Sequence, residues 1–400
     1  MNPDEEFNYQ NAKNASLETS VTNGVQEKYI SFHGYAPVSI YKFLVAHSIA
    51  KEWWVLFMYS VMLLLFAFSI FSFYKLSLMV LADERFAFFT TITYCFYPSV
   101  LYYIGALFYY ENLALPVMVI VIYRLVVSFR NNFSWHDYLT IPLGICISCL
   151  FRGQVIIVYF IILTTYLLLS LRKKRFLNLP MLFIIVALTF AAHVPILLKN
   201  KKEFGAYILS TQYGFELLQG HNPTARGSWM AGSLNPENPL YQYVHQNIQN
   251  ISSMNEYEEC EARKHLALQW IKENPLSVLT LEIKKMAIFF YPANFEVLKA
   301  YNWFNPINFL VHILFILLLV SKIYRRSFSS AELTVLAPVV GSIILTIVFF
   351  TGYRWRYYAE PFMIILAWQF LQSYVLKKRE KIIAQSIQSQ RSQLKADALK

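Results

Sequence analysis

The chain reads as an all-α polytopic membrane protein, and three observations carry that reading. Hydrophobic residues make up 56% of its 400 residues and charged ones only 15%, against about 25% charge in an ordinary soluble domain. Apolar runs recur along the chain at lengths near the roughly 20 residues a helix needs to cross hydrocarbon. Lys and Arg collect in alternate gaps between the runs: Arg124 and Arg130, Arg172-Lys173-Lys174-Arg175, Lys322 with Arg325 and Arg326, and Lys377-Lys378-Arg379. That alternation is the signature of membrane orientation, with the basic gaps in the cytoplasm.

Taken in order, the runs predict nine spans, near 54–74, 86–104, 111–129, 138–151, 154–171, 178–197, 303–321, 332–350 and 359–376. The fourth is short and holds Pro142 and Gly144, so it is expected to recruit residues on both sides to cross. The domain organisation follows: 1–52 outside the cytoplasm, spans one to six over 53–198, and a long outer loop at 199–302. Spans seven to nine fill 303–376, and a basic cytoplasmic tail occupies 377–400. Nine spans and an inner tail put the polar residues 1–52 outside, so a further apolar span is expected upstream of Met1.

Two segments between spans have a character of their own. Pro37 to Ala46 reads as an interfacial helix opened by a proline. In the long loop, Glu256–Trp270 is helical with apolar residues too sparse for a core helix. Asn274-Pro275 breaks it, and Pro275–Phe290 reads as an amphipathic helix on the membrane surface.

Charge restricts the partners. The net charge is +11, and residues 377–400 alone carry seven positive and two negative side chains. This is membrane charge, suited to anionic headgroups; no folded basic module for nucleic acid is present. Cys146-Ile147-Ser148-Cys149 has the spacing of a redox or zinc pair but lies in an apolar run without further ligands nearby. A buried apolar role is expected for it.

The remaining ionisable groups fall in the other gaps, on one face. Glu111 opens the third span after an aromatic approach, Tyr102-Tyr103 and Phe108-Tyr109-Tyr110. It is either a capping acid at a helix N-terminus or a carboxylate facing a polar cavity. Arg152, between two tightly linked spans, is either a snorkelling arginine or an anion ligand. Arg354 and Arg356 flank Trp355 just before Glu360-Pro361, and His221 and Arg226 lie in the long loop. Arginine's planar fork of donors matches phosphate oxygens. Acids and cations together on an outer face suit transfer from a lipid-linked phosphate donor. A carboxylate would take the acceptor's proton, and cations would stabilise the departing phosphate. No Gly-x-Gly-x-x-Gly, Walker or His-Glu-x-x-His motif is present.

These motifs, in this order, resemble the bacterial branch of the GT-C glycosyltransferase superfamily. That branch includes the dolichyl-phosphate-mannose protein mannosyltransferases and the lipid A aminoarabinose transferases. Asp4-Glu5-Glu6-Phe7-Asn8-Tyr9-Gln10-Asn11-Ala12 is similar to the family's acidic outer-loop motif, and Gly34-Tyr35-Ala36-Pro37 to its proline-tyrosine segment. Tyr97-Pro98 with Tyr109-Tyr110-Glu111 resembles the approach to the family's second acid. Gly220-His221-Asn222-Pro223 and Gly227-Ser228-Trp229 resemble its outer-loop segment, Ala267 to Pro275 the helix that follows, and Arg354-Trp355-Arg356-Tyr357 its late arginine motif.

The resemblance implies an inverting transferase of the bacterial inner (plasma) membrane, working on the extracytoplasmic face. It takes a hexose or pentose from a polyprenyl-phosphate-linked sugar to a glycan, lipid or protein acceptor. Asp4 is implied as base with Glu5 as fallback, and Glu111 as the second acid. Arg152, Arg354 and Arg356 are implied as donor-phosphate ligands, and His221, Asn222, Arg226 and Trp229 as the substrate loop. No cofactor is implied, and a divalent metal is left open, since family members differ on it. The rival readings are an O-antigen ligase or polymerase, a transporter or lipid flippase, and a non-enzymatic scaffold. A transporter would place charges at mid-membrane and carry internal repeats, which this sequence lacks.

Overall fold

The computed structural model describes residues 51–105, 111–131, 133–176, 178–228, 236–291, 305–351 and 353–397. The segment with Asp4 and Glu5, the surface helix expected at 37–46, and Trp229 lie outside them. The described residues are helical throughout, apart from one isolated bridge between Ser228 and Thr351.

The first half contains α1 (Lys51–Leu81), α2 (Glu84–Cys95), α3 (Pro98–Gly105), α4 (Glu111–Asn131), α5 (Asp137–Phe151), α6 (Val155–Arg172) and α7 (Asn178–Phe204). The long loop contributes α8 (Gln212–Gly220), α9 (Pro239–Asn247), α10 (Glu256–Glu273) and α11 (Pro275–Phe290). The last part holds α12 (Asn305–Arg325), α13 (Ser330–Val348), α14 (Tyr353–Tyr357) and α15 (Glu360–Asp397). Six helical stretches are long and apolar enough to cross a membrane: 59–81, 112–131, 155–172, 178–204, 306–325 and 330–348. Large apolar side chains stand exposed along them, among them Phe68 and Phe71 on α1, Phe160 and Leu168 on α6, and Phe183 and Phe190 on α7. A surface of this kind is at home in hydrocarbon and not in water. The chain is a multi-pass, all-α membrane protein.

Three expected spans depart from an uninterrupted apolar helix. The run at 86–104 is broken into α2 and α3. Pro98 cannot donate a backbone hydrogen bond and disfavours helical backbone in the residue before it, so Tyr97 leaves the helix and Pro98 starts the next one. Asp83 caps the first piece, its side chain accepting from the N–H groups of Arg85 at 2.9 Å and Phe86 at 3.1 Å. The fourth run does not recruit its flanks as expected. α5 has 15 residues, about 22 Å of rise against roughly 30 Å of hydrocarbon, and Arg152 already has extended backbone, with φ −145°. The last run does not stop near 376, since α15 continues through the basic segment to Asp397. Its residues Phe362 to Leu366 are fully buried. A helix enclosed on all sides carries no amphipathic stripe.

Packing builds one large core across α1, α4, α5, α6, α12, α13 and the start of α15. The closest helix pairs are α6 with α13, α4 with α5, and α12 with α15. A second, small core joins Leu218, Leu240, Val244, Ile248, Ile251 and Ala267 of the long loop. Here α10 packs on α8, which its sparse apolar residues did not lead us to expect. Much of its buried face is polar, with Glu256, Glu259 and Arg263 alongside Cys260 and Ala267. Arg263 donates to Glu259 at 2.7 Å, and Thr211 donates to Glu256, so these groups go inside as satisfied pairs. Asn255 and Glu258 form a capping box that starts α10.

The basic gaps and the odd arginines lie at opposite ends of α6: Arg152 precedes its first residue, and Arg172 to Arg175 follow its last turn. Near the basic end, Arg124 pairs with Asp137 at 2.6 Å, Lys322 pairs with Glu332 at 2.7 Å, and Arg175 donates to the Phe129 carbonyl.

Candidate functional site

Two motifs about 200 residues apart in sequence meet at the other end. The guanidinium of Arg152 stacks over the indole of Trp355, 5.1 Å from its centroid. Trp355 is wedged against Phe349 and Phe350, with centroids 6.4 and 6.2 Å away. Arg152 can turn inward because its extended backbone ends α5 before Gly153 begins the turn into α6.

The loop unit supplies the partner. Glu216 of α8 lies 3.4 Å from Arg152 Nη2, and each side chain is only 2% exposed. Gln154 Nε2 donates to Glu216 Oε2 at 3.0 Å and to Gln212 Oε1 at 3.2 Å. A cation and a carboxylate buried together this way need each other, because either alone would carry a large desolvation cost. Glu216 was not singled out from sequence. The signal was available: Gln212, Glu216 and Gln219 recur at helical spacing, which puts three polar groups on one face, and all three are buried.

Arg356 is held the same way. Its Nε donates to Glu360 Oε1 at 2.9 Å and its Nη1 to the Tyr291 carbonyl at 2.6 Å. The two residues are 4% and 1% exposed. Arg354 lies on α14 as well, and this short helix contacts α4, the helix that Glu111 opens. The structure therefore brings Arg152, Trp355 and Arg356 to one end of the bundle, with α14 packed on α4.

The substrate-loop residues have mixed placements. His221 is buried, with Nδ1 3.1 Å from the Leu217 carbonyl and Nε2 2.9 Å from Glu282. Lys285 Nζ lies 3.1 Å from the same ring nitrogen, 2.8 Å from Glu282 and 3.0 Å from the Ile347 carbonyl. This cluster ties the loop unit to α11 and to the end of α13. Asn222 is committed to the turn after α8: its Nδ2 donates to Leu218 O at 2.8 Å, and its Oδ1 accepts from Thr224 N–H at 2.8 Å. Arg226 is exposed. The bridge at Thr351, whose N–H donates to Gly227 O at 2.8 Å, closes the loop onto the segment before α14.

Burial holds the Lys285 ammonium below its usual 10.5, against the pull of Glu282. A lysine lowered in the folded state binds its proton more readily when unfolded, so stability rises with pH between the lowered value and 10.5. The thermal midpoint of the native chain should therefore gain on that of Lys285→Met between about pH 8 and about pH 10. A constant difference would show that Lys285 does not titrate in that window.

Thiolate chemistry has no support here. Burial pushes Cys260 up to about 11, and Cys146 and Cys149 are buried within the bundle. Among the described residues, no group of three or more His, Cys, Asp and Glu side chains could hold a metal ion. Comparison of the chain with protein-family models and with curated proteins finds no match.

Proposed function

We propose that the protein is a membrane glycosyltransferase. It moves a sugar from a polyprenyl-phosphate donor to an acceptor on the extracytoplasmic face of a bacterial plasma membrane. The observation that carries the reading is the meeting of Arg152 with the Arg354-Trp355-Arg356 segment beneath a folded loop unit. In a transfer of this kind the acceptor hydroxyl attacks the anomeric carbon, and the bond from that carbon to the phosphate oxygen breaks with inversion. Asp4, or Glu5 in its place, takes the hydroxyl proton, and Glu111 orients the reactants. The polyprenyl phosphate leaves with its full charge facing Arg152 and Arg354, where prearranged donors lower the barrier. Arg356 stands beside them. Sited at a membrane surface, such a centre lets the donor keep its lipid tail in the bilayer.

The test uses the full chain in liposomes with a panel of polyprenyl-phosphate hexoses and pentoses, and a total membrane extract as acceptor source. At least one donor should release free polyprenyl phosphate. Asp4→Asn should lower that release by at least about 100-fold while the variant remains in the membrane. Release from no donor would remove the transferase reading; undiminished release by Asp4→Asn would remove Asp4 from the mechanism.

A further inference from the structure

Beside the Arg356–Glu360 pair lie buried polar atoms that the protein leaves unused. Arg356 spends Nε on Glu360 and Nη1 on the Tyr291 carbonyl, but its Nη2 is buried without a hydrogen-bond partner among the described residues. The Tyr97 hydroxyl is in the same condition, on a residue that is 0% exposed. So is His312 Nε2, on a residue that is 1% exposed. The three come from three places: the break between α2 and α3, the first turns of α12, and α14. Arg356 is close enough to bear electrostatically on both Tyr97 and His312, and Glu360 bears on Tyr97 as well.

Buried polar atoms without partners cost free energy, and native proteins rarely keep three together without a reason. The fold pays here for atoms it does not satisfy itself, which points to a bound group that does. The chemistry of that group can be read from the atoms. His312 Nδ1 lies 2.7 Å from the Asn308 carbonyl, which can only accept, so Nδ1 carries the hydrogen. The neutral ring then presents Nε2 as a bare acceptor. Arg356 Nη2 is a donor, and the Tyr97 hydroxyl is both. The charge of Arg356 is already matched by Glu360 at 2.9 Å. A phosphate would meet one donor, a compensated charge and the lone pair of His312. A hydroxyl, which donates and accepts at one atom, satisfies the set without adding charge.

We infer that Tyr97, His312 and Arg356 form a subsite for the hydroxyl groups of a neutral sugar. This rests on the transferase reading above and gives Arg356 a different task from its neighbours: it orients the sugar, while Arg152 and Arg354 face the phosphate. Tyr97 and His312 are then residues that decide which sugar is accepted. A site built to hydrogen-bond a hydroxyl discriminates strongly against ligands that lack it.

Two lipids separate the possibilities: undecaprenyl phosphate, and undecaprenyl phosphate carrying glucose. Binding of each to the full chain in nanodiscs is measured for the native protein, Tyr97→Phe, His312→Leu and His312→Gln. The expected result is a loss of roughly tenfold for the glucose-bearing lipid in Tyr97→Phe and His312→Leu. Binding of the bare lipid should be unchanged, and His312→Gln, which keeps an acceptor, should recover most of the loss. Should His312→Leu fail to fold, Tyr97→Phe and His312→Gln still decide the matter. Equal weakening of both lipids would make this a phosphate site and overturn the inference. Unchanged binding of both would assign the unused atoms to packing or to trapped water, and overturn it too. If the native chain binds neither lipid, the transferase reading falls and the subsite falls with it.

Discussion

Gly220→Ala should leave little folded protein. A Cβ at this position would lie 1.5 Å from the Phe349 carbonyl oxygen and 2.4 Å from its carbon. Both obstacles are backbone, so no rotamer change relieves the overlap, and the end of α8 would have to back away from the end of α13. That contact holds much else in place. It precedes His221, which bonds Glu282 of α11, and it sits near the bridge from Gly227 to Thr351. Moving α8 also draws Glu216 away from Arg152 and Gln154. The cost should be about 3 kcal/mol or more, at the high end for overpacked sites. Size-exclusion profiles and thermal midpoints of the purified full chain would show it. A Gly220→Ala protein with a native midpoint would mean that α8 and α13 do not approach this closely.

The helices were legible because hydrocarbon imposes a coarse rule that composition can satisfy. The expected spans coincide with helices, and the break after Phe96 could have been read from Pro98. What composition could not carry was the fate of polar residues between helices. Arg152 and Arg356 stood out as cations on the face opposite the basic gaps, but nothing in their spacing says that one stacks on Trp355 and the other is matched by Glu360. Those contacts depend on how α5, α13 and α14 pack. Glu216 was missed because a lone acid in a short helix looks like an exposed one until its partner is known. The helix at 256–273 was judged too polar to pack because its buried face is built from Glu256, Glu259 and Arg263 rather than leucines. Apolar periodicity cannot report a face of this kind. The call on Asp4 and Glu5 falls outside the described residues, so that part of the proposed site stands on the motif alone.

Glu360→Leu should be the most damaging single change within the bundle. It leaves Arg356 with the Tyr291 carbonyl and no carboxylate, in a place where the residue is 4% exposed. Breaking a buried pair by removing one partner costs about 3–5 kcal/mol, because the remaining charge stays desolvated. The double variant Glu360→Leu with Arg356→Met removes both charges in similar volume, and such replacements are often neutral or stabilising. Its thermal midpoint should therefore recover toward the native value, well above that of Glu360→Leu alone. Function should not follow stability. If Arg356 orients the donor's sugar, the double variant should fold and still fail to select among polyprenyl-phosphate sugars, since its Nη2 donor is gone. Should the single change prove as stable as the double, the Arg356 guanidinium has access to solvent or lipid headgroups that its burial does not suggest. Should the double variant keep native sugar selection, Arg356 serves the fold alone. The paired variants thus separate a charge kept for packing from one kept for a substrate, and one residue pair at the start of α15 decides between them.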